Sequence, residues 1–178
     1  MGYMHYARRA ESLPQDKFKR FAEDVRKVIA FASRAAFPVS VCFEYDQPND
    51  PPEITEEVVR FNGKGLDGHE TFYFPREESL ADYEREEYEN RDPTDKLKGK
   101  TFSSCKTARK PYDVVVTAAL IIAKHHFGDD VIISSDGSNS DWINGRALCD
   151  SVLKYGYDYR FQHGDLEHVP DAVKATAK

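Results

Sequence analysis

A chain of 178 residues is long enough to bury one hydrophobic core and too short for two full domains. Its 40% hydrophobic and 12% aromatic content excludes a disordered polar tract, and a formal charge of −6 argues against general affinity for nucleic acid. The longest apolar run, residues 114–123, is half of what spans a bilayer, and the opening MGYMHYARRAESL lacks the apolar centre of a signal peptide, so a cytoplasmic protein without membrane contact is expected.

The first element in chain order is a helix over residues 14–36, where Phe18, Phe21, Val25, Val28, Ile29 and Ala32 recur at three- and four-residue steps. Ser12 and Gln15 have capping-box spacing, and Pro38 closes the segment. Strand-like stretches follow at 39–45, 57–62 and 70–74, the last two joined by the glycine-rich GKGLDGH in the manner of a hairpin. Residues 77–95 are strongly acidic, with Glu77, Glu78, Asp82, Glu84, Glu86, Glu87, Glu89, Asp92 and Asp95, and read as a surface insertion. The sign then reverses: residues 96–110 carry Lys96, Lys98, Lys100, Lys106, Arg109 and Lys110 and no acid.

A nearly all-apolar helix is predicted over 111–127, ending at Gly128, followed by a core strand at 131–135, a helix at 141–154 and a last strand at 157–162. Together these elements predict a single α+β domain over 1–163, a small mainly antiparallel β-sheet packed against about three helices. Residues 164–178 read as a weakly ordered C-terminal tail.

The segment CKTARKPYD, residues 105–113, sets a physical problem. Pro111 suits the first turn of a helix, whose N-terminus already carries partial positive charge, yet Lys106, Arg109 and Lys110 crowd that end. Residues 128–130 are too few for a crossover, so strand 131–135 runs back along the preceding helix. That return brings SSDGSN and the start of the next helix to the same end of the domain. Two helix N-termini with unpaired N–H groups then converge, an arrangement that favours anions. Lys106, Arg109 and Lys110 for charge, with Ser135 and Ser138 for hydrogen bonds, form the expected site for a small anionic or phosphate-bearing ligand. No GxxxxGKS/T loop or GxGxxG fingerprint is present, so no cofactor is implied. The plainer alternative is that the basic run neutralises the acidic block and SSDGSN only turns the chain and caps a helix.

Other chemistry is sparse, and no catalytic residue is assigned. Cys42, Cys105 and Cys149 form no C-x-x-C pair, so reduced and largely buried thiols are expected, and no metal site. Cys105 lies beside cations but has no base near it in sequence. The adjacent His125 and His126 face about 100° apart and suit a helix C-terminus better than a metal. A non-enzymatic interaction module is the second functional expectation, its acidic 77–95 segment meeting a basic protein partner, with a homodimer through the aromatic-rich sheet.

Overall fold

The first strand begins almost at the start of the chain in the computed structural model, which describes residues 2–36 and 38–170. In chain order the elements are β1 (Met4–Ala10), α1 (Gln15–Ala32), β2 (Val41–Cys42), β3 (Glu53–Ile54), β4 (Val58–Gly63), β5 (Phe72–Pro75), α2 (Asp82–Glu89), β6 (Lys100–Lys106), α3 (Asp113–Phe127), β7 (Val131–Ser135), α4 (Ile143–Leu153), β8 (Tyr159–Gln162) and β9 (Asp165–His168). Five strands form one antiparallel sheet in the order β6-β1-β7-β9-β8, and β4 carries β2, β3 and β5 in a second antiparallel sheet. The fold is α+β.

β1 holds the larger sheet together because it is paired on both sides, with β6 through residues 4–10 and with β7 through residues 5–9. Its side chains alternate as a strand requires, with His5, Ala7 and Arg9 buried and their neighbours half-buried. The strand escaped detection because two of those inward residues are polar, so burial alternates while hydrophobicity does not.

α3 is the central helix and touches α1, α4, β7 and β9. Nearly all its faces are apolar because nearly all are covered. α4 lies close against it at Gly145, where a Cβ would stand 2.3 Å from the Thr117 hydroxyl oxygen, so only glycine fits. α1 is held by an aromatic cluster: Phe18 and Phe21 meet Phe74 of β5 and Phe127 of α3, with ring centroids 5.2–6.4 Å apart. All four rings are buried, and such pairs each add about 0.5–1.5 kcal/mol beyond their burial.

Local details depart from the expectations. Ser12 does not cap α1; its hydroxyl bonds the Glu77 carboxylate at 2.9 Å and the helix starts after Pro14 without a side-chain cap. The strand expected at 39–45 contracts to Val41–Cys42, because Phe43 N–H turns to the Asp50 carbonyl and residues 44–47 close on themselves. In the acidic segment, Asp82–Glu89 forms α2, and Arg91 pairs with Glu87 and Asp95.

Residues 165–168, expected in a weakly ordered tail, instead form β9 and lie between β7 and β8. His163 and Gly164, at φ 54° and 91°, make the two-residue turn that a tight hairpin needs between Gln162 and Asp165. Leu166 anchors the strand, fully buried in the core. The rest of the expected tail, 171–178, lies outside the described residues. Among the described residues no helix is long and apolar enough to cross a membrane. Leu166→Ala is expected to cost about 2–5 kcal/mol in urea unfolding, the usual range for a core leucine. A residue in a loose tail would change stability by less than about 0.5 kcal/mol.

Candidate functional site

The helix starts of α3 and α4 meet at the end of the sheet where β1 begins, and one buried histidine joins them. His5 is 2% exposed, with Nε2 2.7 Å from Asp113 Oδ1 and Nδ1 2.9 Å from the Ser135 hydroxyl oxygen. An ionised carboxylate only accepts, so Nε2–H donates to Asp113, while Nδ1 hydrogen-bonds the Ser135 hydroxyl, which also lies 3.3 Å from the Met4 carbonyl. Thr107 donates its hydroxyl to the same Asp113 oxygen. Ser135 Oγ accepts Gly137 N–H at 2.9 Å and the Trp142 indole N–H at 3.4 Å. Tyr3 and Trp142 both pack against the imidazole, with ring centroids 4.9 and 5.2 Å away in edge-on geometry. Asp113 opens α3 and Trp142 stands at the start of α4, so both helices are tied to β1 and β7 through this cluster.

A cleft of about 250 Å³ opens beside it, lined by Tyr3, Arg109, Lys110, Asp113, Asp141 and Asn144 among others. Ala108 and Arg109 take successive left-handed conformations, φ 50° and 59°, in the loop that lays the Arg109 guanidinium over the Tyr3 ring, 4.0 Å from its centroid. Arg109 also pairs with Asp141. Asp141 accepts the Ser138 N–H and hydroxyl at 2.7 and 2.8 Å; with Arg109 these hold its carboxyl down at about 2. The anion that Arg109 meets is therefore one of the chain's own. Asp113 stands in the first turn of α3, where the partial positive charge of the helix favours it, and Asp141 immediately precedes Trp142 at the start of α4.

The other residues picked out from the sequence are dispersed. Lys110 donates to the Leu66 carbonyl at 2.9 Å at the edge of the cleft. Lys106 lies in β6, its side chain running past Gly2, and does not line the cleft. Ser135 belongs to the buried histidine cluster and Ser138 to Asp141.

A larger cavity of about 450 Å³ lies on the other side of the α4 start, lined by Asn139, Ser140, Ile143, Arg146, Tyr157 and Arg160. Arg146 is 3% exposed and donates Nε to the Tyr159 carbonyl and Nη1 to the Asn139 carbonyl, each at 2.7 Å, and Nη2 to the Asn139 amide oxygen. All three acceptors are neutral. Burial, with Arg160 nearby, brings the Arg146 guanidinium down to about 10, which still leaves it charged at pH 7. Neither arginine was singled out in the sequence, because one lies inside a helix and the other in an edge strand; no run of charge marks them.

The remaining candidates are structural. Burial pushes the Cys105 thiol up to about 12, which leaves it protonated and a poor nucleophile at neutral pH. All three cysteines are free and buried. His126 bonds Asp24 at 2.9 Å, and His125 stacks on Tyr155 with centroids 3.8 Å apart. Glu70 accepts the Lys106 N–H at 2.7 Å and so fastens its loop to β6.

No family model, curated protein or solved structure matches the chain. What the protein does is therefore read from the chemistry of the two clefts. The smaller one makes a stability prediction. Asp141 is held at about 2 in the folded chain against an ordinary aspartate value of about 3.9, so its contribution is complete above pH 4 and is lost as pH falls towards 2. Asp141→Asn should flatten that part of the acid unfolding curve, and an unchanged curve would contradict the assignment.

Proposed function

We propose that the protein binds a small ligand carrying an anionic or phosphate group at the end of the sheet where α3 and α4 begin. One observation carries this reading: of the two cavities at the start of α4, the larger is lined by Arg146 and Arg160 and by no acid, whereas Arg109 and Lys110 share the smaller with Asp113 and Asp141. Cavities of a few hundred Å³ with a few convergent polar groups are the usual seats of small molecules. The histidine cluster behind them is buried and hydrogen-bonded, which gives the site a rigid wall.

The alternative, an acidic surface for a basic protein partner, has less support. Glu77 and Glu78 lie against Arg76 and Arg9, and Glu87 and Asp95 against Arg91, so part of that charge is met within the chain.

Thermal unfolding in phosphate, sulfate and small carboxylates, each compared with chloride at equal ionic strength, tests the proposal. A ligand present at 100 times its dissociation constant stabilises the folded state by about 2.7 kcal/mol, well above detection. Stabilisation by at least one anion beyond the chloride control is expected. No shift with any of them would leave both cation pairs as structural features.

A further inference from the structure

We infer that the cavity between α4 and β8 seats a phosphomonoester carried on an apolar or aromatic body, with Arg146 and Arg160 as its charged contacts. This rests on the anion-binding proposal above and names the seat and the ligand class.

The first observation is positive charge without a counter-charge. A guanidinium withdrawn from water is costly unless an acid or a full set of acceptors compensates it. Arg146 is almost completely buried, yet its three hydrogen bonds go to two carbonyls and an amide oxygen. Arg160 Nε is buried with no hydrogen-bond acceptor. Among the described residues no carboxylate lies within 4.0 Å of either group. The acid opposite Arg160 in the sheet, Glu167, directs its carboxylate to Lys124 Nζ at 3.7 Å.

Arg9 shows how the same fold buries an arginine for structure alone. It is fully buried, bonded to the Ala10, Glu11 and Arg76 carbonyls, 4.0 Å from Glu78 and packed over Phe74; its Nη1 also lacks an acceptor, but it lines none of the cavities. Arg146 and Arg160 differ on both counts, since they lack the acid and face open space.

The cavity also indicates the ligand. Two guanidinium groups without a carboxylate partner match a dianion, and a phosphomonoester carries about −1.5 to −2 at pH 7 where a carboxylate carries one charge. The planar fork of arginine suits phosphate oxygens. The volume, about 450 Å³, exceeds what a bare phosphate fills, and the rest is bordered by Tyr157 and by Ile143, which stands 54% exposed. An apolar body attached to the phosphate would cover that surface.

Isothermal titration of the full chain at pH 7.5 with phenyl phosphate, inorganic phosphate and benzoate tests the inference. The variants are Arg160→Ala, Arg160→Lys and Arg109→Ala, each checked for native circular dichroism. Phenyl phosphate should bind tightest. Arg160→Ala should weaken it at least about tenfold, and Arg160→Lys should restore part of that loss. A greater loss in Arg109→Ala than in Arg160→Ala would place the ligand in the smaller cleft and overturn this inference, while the anion-binding proposal stands. Benzoate or inorganic phosphate binding as tightly as phenyl phosphate would overturn the ligand class. Binding of none of the three probes would remove the inference, and the anion-binding proposal would then rest on the salt-stabilisation test alone.

Discussion

The hydrogen bonds of His5 are the joint on which this fold depends. β1 pairs with β6 and β7, and from it one imidazole reaches Asp113 at the start of α3 and Ser135 at the end of β7. An unsatisfied polar group in this cluster would carry a desolvation cost of about 1–3 kcal/mol, so the interlocking bonds of His5, Asp113, Thr107, Ser135 and Trp142 specify one arrangement of strand and helix ends. The apolar core supplies most of the stability around α3. The histidine cluster fixes where the helices begin, and hence where the clefts open.

Charge at that end follows a consistent pattern. The positive start of each helix has an acid beside it, Asp113 for α3 and Asp141 for α4, and Asp141 also closes on Arg109. The cations next to the helix starts are therefore largely answered inside the chain. One helical turn further on the balance fails: Arg146 has neutral acceptors only, and Arg160 Nε has none. The positive charge that the fold leaves without an acid at this end thus lies with the buried Arg146 and the half-buried Arg160 rather than with the visible basic run.

The legible parts of the structure were those whose burial follows hydrophobicity. The stripe of α1, the apolar helix α3 and the strand 131–135 are recovered because Phe, Val, Ile and Ala mark the faces that become buried. β1 was missed because His5 and Arg9 are its inward residues, and their burial depends on partners far along the chain. β9 was missed because a single leucine anchors it, although the His163–Gly164 turn was a local signal for a hairpin. The convergence of the helix starts could be deduced from one short connection. That Asp141 answers Arg109 could not, because a loop from residues 107–110 and one from 136–142 meet only in three dimensions. Arg146 and Arg160 each look ordinary in sequence and acquire meaning only through what they fail to meet.

The most direct measurement is the side-chain Nε–Hε NMR spectrum of the arginines during titration with phenyl phosphate at low ionic strength. Arg160 Nε has no acceptor in the free protein, so its resonance should move most and become protected from solvent exchange as the ligand binds. Arg109, already paired with Asp141, should move little. Movement of Arg109 with Arg160 unchanged, or no movement of either, would contradict the claim that the open positive charge of this protein lies between α4 and β8.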